Sequence, residues 1–322
     1  MLKINSKLKI RANNNYKNLI NHQGKGGVIN IVFSSDDNYA PLLGIALCSL
    51  FENKKVDRRI KIFIIDSDIS SKNKGYLKIL ANKYNFFIDY IKPDNKFFTG
   101  LPDSSWPLAA YHRIIVARLI PSEVKKLIYL DCDIMIKKDL SDLFFTDLEG
   151  KILGAVPDPA ANNESRKRLG IPEEIDYFNS GVLLIDLDLW KKNKTEQKIL
   201  DFMFKNKEKL KYPDNDALNA VLFNDWLRLP EKYNAFLYSK INDPSIIHFT
   251  SEKPWYYLSA DQYQKEYLAY VSRTPWRDHW FRKLLAPSFA KKYHFLKIGL
   301  RIKTIVKQYK FALGYHNHTH RK

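Results

Sequence analysis

A chain of 322 residues that is 45% apolar and 14% aromatic can bury a real core, in one large or two smaller domains. Its two cysteines, Cys48 and Cys132, exclude a disulfide scaffold or a cysteine-built metal framework and point to a reducing compartment. The formal net charge is +18, and +12 of it falls in residues 271–322, where 13 Lys and Arg meet one acid, Asp278.

Residues 1–27 form a polar, basic extension without an apolar segment of signal-peptide length, so a cytoplasmic location is expected. The apolar run "VINIVF" (28–33) reads as a buried strand, followed at once by the polar "SSDDNY". "RIKIFIID" (59–66) and "FFIDYI" (86–91) are further strands, with helices expected over 39–51 and 70–83, the second capped by Ser70 or Ser71. After the loop "PDNKFFTGLPDSSWP" the pattern "LAAYHRIIVARLI" predicts a helix stopped by Pro121. Strands follow at "LIYLDCDIMI" (127–136), "KILGAVPD" (151–158) and "YFNSGVLLIDL" (177–187). Helices are expected over 189–209 and from "PDNDALNAVLF" (213–223), before a last strand "SIIHFT" (245–250). From about residue 261 the chain turns aromatic and basic. Strands alternating with helices argue for a wound α/β layer.

Two phosphate-binding readings fail on context. "GKGGV" (24–28) lacks the closing Gly-Lys-Ser/Thr of a P-loop and precedes a strand, whereas that loop follows one. A dinucleotide fold needs glycines after its first strand, but Asp36 and Asp37 stand there and would repel pyrophosphate.

The chemistry concentrates at strand ends, where open α/β sheets bind ligands. In extended chain Asp131 and Asp133 of "YLDCDIM" point to one face, a pairing that suits a hard divalent cation such as Mn²⁺ or Mg²⁺. Solvent-exposed loop aspartates are the plain alternative, and Cys132 between them reads as a packing residue. "SSDDNY" offers Asp36 and Asn38 to a uracil edge and ribose hydroxyls. "HFTSEKPW" offers His248 as a third metal ligand and Lys253 as a point charge for a diphosphate.

Taken in order, "VFSSDDNYA", "AAYHRIIVARLI", "LIYLDCDIMIKKDL", "GAVPD", "FNSGVLLIDLDLW", "YPDNDALNAVLF" and "IIHFTSEKPW" span residues 28 to about 256. That ordered set resembles glycosyltransferase family 8, retaining enzymes that include bacterial lipooligosaccharide and lipopolysaccharide hexosyltransferases and glycogenin. The resemblance implies the GT-A nucleotide-diphospho-sugar transferase fold, a Rossmann-like mixed α/β sheet flanked by helices. It places the catalytic domain at 28–260 and a basic helical extension at 261–322. By position, Asp36 and Asn38 resemble the uridine contacts, and Arg113 the arginine near the donor sugar and diphosphate. Asp131, Asp133 and His248 resemble the Mn²⁺ ligands, and Lys253 the lysine that steadies the leaving diphosphate. Asp158, Asn179 and Asp214 resemble residues that bind donor-sugar hydroxyls, with Gly181 permitting close backbone approach. A turn or helix cap is the structural alternative for Asp158 and Asp214.

Two departures from the family pattern stand out. Asn215 replaces the glutamine of the usual Asp-Gln pair, which argues against a covalent intermediate at that position. It favours same-face attack by the acceptor hydroxyl, with double displacement through Asp158 or Asp214 as nucleophile the alternative. The His-to-Lys-Pro-Trp ending is one residue short and carries Ser251 in place of glycine. The implied activity is Mn²⁺-dependent transfer of glucose or galactose from a UDP-hexose to a lipid-linked or oligosaccharide acceptor. Residues 93–108, with Phe97, Phe98 and Trp106, are expected near that acceptor.

In the tail, Phe295, Ile298, Ile302, Ile305, Val306, Tyr309 and Leu313 share one side of a helical wheel, with Lys and Arg over the rest. That pattern predicts an amphipathic helix, backed by Trp276, Trp280, Phe281 and Tyr293, lying on the anionic inner face of the cytoplasmic membrane. Docking of this helix on its own domain is the alternative. Basic residues among aromatics also suit single-stranded nucleic acid, but the body carries no nucleic-acid motif and none is expected as a partner. A nucleotide-sugar-binding regulator without turnover is the other competing reading.

Overall fold

The computed structural model describes residues 27–101, 107–237, 241–250, 253–254 and 262–278. The expected N-terminal extension, Trp106, Ser251 and the tail from residue 279 on lie outside these residues.

The strands are β1 (Ile29–Asp36), β2 (Ile60–Ser67), β3 (Ile88–Ile91), β4 (Lys126–Leu130), β5 (Ile134–Ile136), β6 (Leu153–Pro157), β7 (Phe178–Asp186), β8 (Trp226–Arg228), β9 (Ala235–Phe236) and β10 (Ile246–His248). Seven of them form one sheet in the order β3-β2-β1-β4-β7-β6-β8. β1 runs parallel to β2 and β4, while β7 lies antiparallel between β4 and β6. A second sheet of three strands has the order β5-β10-β9.

The longer helices are α1 (Ala40–Asn53), α2 (Ser71–Tyr84), α3 (Thr195–Lys205), α4 (Pro213–Leu222) and α5 (Gln262–Val271). Ser70 caps α2, its hydroxyl accepting from the Asn73 amide, and Asn85 closes it in the left-handed region. The continuous apolar runs follow from burial on both sheet faces. Along β1, Ile29, Ile31 and Phe33 pack under α1, α2 and α5, whereas Val32 packs on the opposite face with Phe63 and Tyr129. α3 and α4 cover that second face through Ile199, Met203 and Leu218.

Three elements differ from the sequence expectation. The strand expected over 127–136 leaves the large sheet at Leu130, bends through Asp131–Asp133, and resumes as β5 in the small sheet. Both carboxylates thereby sit in the bend between two sheets. The segment expected as one helix up to Pro121 is a 3-10 turn, Leu108–Arg113, then a single α-turn, Val116–Leu119. Residues 111–117 are buried in succession, which a surface helix with one apolar stripe cannot achieve. The helix expected over 189–209 breaks at Lys194, whose φ of 53° is left-handed.

Packing also extends past residue 260. Tyr267 and Val271 of α5 belong to the core under β1, and Gln264 Nε2 donates to the Pro254 carbonyl at 2.9 Å. Trp276, read from sequence as a membrane-facing aromatic, is buried: its indole N–H donates to Asn73 at 2.8 Å and its ring meets Tyr76 edge-on. Among the described residues, no helix is long and apolar enough to cross a membrane.

Candidate active site

β1 and the Asp131–Asp133 bend meet side by side, because β1 pairs with β4 up to Phe33 and Leu130. Cys132 stitches them, its thiol donating to the Ser34 carbonyl at 3.2 Å. Burial first, then the flanking aspartates, pushes that thiol well above its ordinary range, so Cys132 is a packing residue. At the end of β1 the two aspartates divide their work. Asp36 Oδ1 accepts from the Tyr39 amide at 2.8 Å, whereas Asp37 turns to α2 and accepts from Ser70 N and Asn73 Nδ2. Asn38 is exposed beside them.

The bend places one ligand atom each from Asp131, Asp133 and His248 within 4.8 Å of one another. The remaining oxygens of the two carboxylates are held by cations. Asp131 Oδ1 lies 2.7 Å from an Arg113 terminal nitrogen, and Asp133 Oδ2 lies 2.6 Å from Lys253 Nζ. Asp131 Oδ2 and Asp133 Oδ1 are therefore left facing His248 Nε2, at 3.7 and 3.3 Å. Burial works to raise the Asp133 carboxyl, but Lys253 and then His248 outweigh it and hold it well below the usual carboxylate range. A donor set of two carboxylate oxygens and one imidazole nitrogen, converging where each carboxylate is already anchored, fits a divalent cation such as Mn²⁺.

Arg113 is the hub behind this cluster. It is buried, and it donates to Asp131, to the backbone and hydroxyl oxygens of Ser180 at 2.5 and 2.9 Å, and to Ala110 O at 2.9 Å. Its Nε also lies 3.0 Å from Asp214 Oδ2. Burial opposes its charge, but Asp131 and Asp214 keep it firmly protonated. Asp214 is itself buried, and burial raises its carboxyl against the pull of Arg113. The cap role does not apply to it: Pro213 opens α4 after Tyr212, and the Asp214 side chain turns inward to Arg113 and Ser180.

Beyond Gly181 the site continues as a chain of amides. The Gly181 N–H donates to Asn179 Oδ1 at 2.9 Å, and Asn179 Nδ2 donates to Asp158 Oδ2 at 3.0 Å. The other Asp158 oxygen accepts from the Ala160 amide at 2.9 Å, so Asp158 also shapes the turn after β6. Asn215 has both ends of its amide engaged: Oδ1 accepts from Ser180 N at 2.8 Å and Nδ2 donates to the Tyr177 hydroxyl at 2.9 Å. Tyr177 in turn donates to Asp216, a fully buried carboxylate bridged by Arg168.

Of the twelve residues singled out from sequence, Asp131, Asp133, His248, Lys253, Arg113, Asp214, Gly181, Asn179, Asp158 and Asn215 are linked by these contacts into one cluster. Asp36 and Asn38 stand at the neighbouring strand end. Sequence reasoning missed Ser180, Asn234, Tyr177 and His112. Ser180 lies inside the motif "FNSG" and was within reach. His112 lies between Ser34 Oγ at 3.0 Å and Asn95 Oδ1 at 2.9 Å, pushed down to about 4 by burial and then by Lys92. The ring is thus neutral near neutral pH, and it ties the end of β1 to the short 3-10 helix Asn95–Phe98.

The same fold recurs in solved proteins. The galactosyltransferase LgtC, crystallised with donor and acceptor sugar analogues, superimposes with a TM-score of 0.71 at 23% identity, covering 78% of this chain and 99% of that one. By sequence, General stress protein A of Bacillus subtilis (strain 168) is 32% identical over 275 residues, 78% of this chain and 96% of its own length. A lipopolysaccharide 1,2-glucosyltransferase of Escherichia coli is 31% identical over 280 residues, 79% of this chain and 81% of its own. The profile of Glycosyl transferase family 8 matches residues 30–259, the stretch that carries both sheets and every residue of the cluster. The chain belongs to glycosyltransferase family 8.

Proposed function

We propose that this glycosyltransferase moves glucose or galactose from a UDP-sugar to a hydroxyl of a bacterial surface glycan, such as a lipopolysaccharide or lipooligosaccharide core, with retention. The observation that carries the reading is the convergence of Asp131 Oδ2, Asp133 Oδ1 and His248 Nε2 on one point, with Lys253 alongside. The similarity to a lipopolysaccharide glucosyltransferase and a galactosyltransferase supports the substrate class.

Asp131, Asp133 and His248 would hold a divalent cation, Mn²⁺ or Mg²⁺. When bound, such a cation neutralises charge that develops on the diphosphate as the glycosidic bond breaks. Lys253 adds a second positive charge there, released from Asp133 toward the leaving diphosphate. Asp36 and Asn38 receive the uridine. Asp158, Asn179 and Asp214 surround the sugar, and Arg113 acts by locking Asp131 and Asp214 in place, since its donors are spent on them and on Ser180. Asn215, with both amide ends engaged, is unsuited to attack the anomeric carbon. This supports attack by the acceptor hydroxyl on the same face as the departing UDP, whose oxygen takes the proton. The basic tail would hold the enzyme at an anionic membrane surface near a lipid-linked acceptor.

Incubation with UDP-glucose or UDP-galactose and Mn²⁺, with lipopolysaccharide cores as acceptor, tests the reading. UDP release and a new glycan product, both lost in EDTA, are expected. Tight UDP-sugar binding with no release under any metal would instead support a regulator without turnover.

A further inference from the structure

We infer that Asn234 is a positioning residue: it fixes the Nδ1–H form of His248 and so aims the Nε2 lone pair at the point where Asp131 and Asp133 converge. The inference rests on the reading of these three residues as a cation site and adds to it a residue that touches neither cation nor sugar.

Hydrogen-bond polarity carries the argument. Asn234 Oδ1 lies 2.9 Å from His248 Nδ1, and Asn234 Nδ2 lies 3.0 Å from Asn179 Oδ1. An amide seen alone can be turned end for end, but this one is anchored by groups with no such freedom. The Gly181 backbone N–H can only donate, and it lies 2.9 Å from Asn179 Oδ1. A carboxylate oxygen accepts, and Asp158 Oδ2 lies 3.0 Å from Asn179 Nδ2. Asn179 is thus oriented from both ends. Its Oδ1 demands a donor from Asn234, which presents Nδ2 there and leaves Oδ1 for the imidazole. His248 Nδ1 must then carry a proton. The second ring nitrogen, Nε2, is left as the atom that takes a cation.

Packing keeps the ring from escaping this polarity. Asn234 and His248 are buried, 1% and 3% exposed. The Phe236 ring stacks over the imidazole, with centroids 6.0 Å apart and planes 25° from parallel. On another side Gly181 crowds the ring so closely that a Cβ there would lie 2.2 Å from Cε1. An outer partner that fixes the tautomer of a ligating histidine contributes to metal affinity without touching the metal. The same chain of amides ends on Asp158 and Asn179, so the orientation of residues placed at the donor sugar is coupled to that of the metal ligand.

The test reads the ring and the metal separately. In metal-free wild-type protein labelled with ¹⁵N-histidine, at a pH where the ring is neutral, the His248 signals (assigned with H248Q) should show Nδ1 protonated. Titration with MnCl₂, followed by the free-Mn²⁺ electron paramagnetic resonance signal, should show N234A binding about 10- to 100-fold more weakly than wild type. N234L, which keeps the side-chain volume but cannot accept from Nδ1–H, should bind as weakly as N234A. Asn234 acting only as a packing residue predicts instead that N234L binds like wild type. A wild-type ring protonated at Nε2, or N234A affinity within about twofold of wild type, overturns the inference. The wild-type spectrum decides it even where N234A fails to fold. Failure of wild-type protein to bind Mn²⁺ at all would instead remove the cation site itself, and the inference with it.

Discussion

Gly181 and His248 are packed so closely that a Cβ on Gly181 would fall 2.2 Å from Cε1 and 2.7 Å from Nδ1 of the imidazole. The same Cβ would fall 2.8 Å from Asp131 Oδ2. One added methyl group therefore strikes two of the three residues that converge on the cation position. G181A should fold but melt lower, because relieving the clash means pushing aside the buried His248 ring that Asn234 and Phe236 hold. Relief displaces His248 and Asp131 from their common point. Transfer activity should fall by at least the about 10- to 100-fold that loss of an outer partner costs. Turnover with UDP-sugar and Mn²⁺, beside a thermal melt, checks both halves; wild-type activity in G181A would mean that the three residues need not converge.

Asp133 is the carboxylate shared by the cluster, 2.6 Å from Lys253 and 3.3 Å from His248. D133N keeps the shape and removes the charge that Lys253 and a bound metal ion would answer to. Metal affinity and transfer should drop further than in any outer-partner variant, by more than about 100-fold. Stability should drop as well, since the substitution takes from Lys253 the counter-charge it has in Asp133 within a buried pair. Full activity of D133N in chelator-treated buffer would sink the metal assignment.

Asn215 gives a different expectation. Its amide serves the Ser180 N–H and the Tyr177 hydroxyl, so N215A takes the partner from the Ser180 N–H and leaves Tyr177 with its bond to Asp216. The unmade bond at Ser180 costs about 1–3 kcal/mol. The variant should be measurably less stable and slower, yet still turn over, because both ends of the Asn215 amide are engaged by the protein itself and neither serves as a nucleophile. Mass spectrometry after incubation with donor checks the second part: a glycosyl adduct on Asn215 in the wild-type protein would contradict it.

Stability at alkaline pH should depend on Cys48, which is fully buried in α1. Burial pushes its thiol from the ordinary 9.0 to about 11, against a lowering contact from Tyr84. A folded-state value above the unfolded one favours folding while the thiol is protonated in both states. That contribution is lost as pH rises from 9.0 to about 11. The span corresponds to roughly 3 kcal/mol at most. Thermal melts across this range should fall more steeply for wild type than for C48A. Equal slopes would assign the loss to other groups, Tyr84 first among them.

Which of these features could be read in the sequence depends on whether they are local. Strands β1, β2 and β7 are legible because burial on both faces demands a continuous apolar run, and the run survives in "VINIVF" and "GVLLIDL". Asp131 and Asp133 are legible because paired carboxylates inside such a run have few structural uses. The bend that carries them is not, since a strand that continues and a strand that changes sheet show the same alternation. Asn234 is equally hidden: "KYNAF" reads as a turn, and only the fold brings it against His248. For Asp214 the place near Pro213 leaves a helix cap as the alternative to a role at the donor sugar, and only tertiary contact reveals Arg113 as its partner. Trp276 misled for the same reason. An aromatic among basic residues reads as a membrane contact, and nothing nearby in sequence announces the slot that α1 keeps open for it.

That slot decides where the tail can be cut. A Cβ on Gly44 would lie 2.1 Å from the Trp276 ring, so α1 carries glycine where the indole presses in. Truncation at residue 270 removes this buried tryptophan, 2% exposed, together with Val271. Emptying a site of that size costs about 3–5 kcal/mol, a large share of a typical domain's stability. Truncation after residue 278 keeps both and removes only residues 279–322, which hold eleven Lys and Arg and no acid. Near an anionic surface each such charge contributes about 1 kcal/mol of attraction. The apolar side chains Ile302, Ile305 and Val306 would add a part that salt does not screen. The shorter protein should therefore melt like the full chain and release UDP from UDP-sugar in solution at the same rate, yet lose sedimentation with anionic liposomes. The 270 truncation should melt far lower. High salt should release the full chain from liposomes only in part. Undiminished liposome binding by the 1–278 protein would place the membrane contact on the body and leave the tail another role.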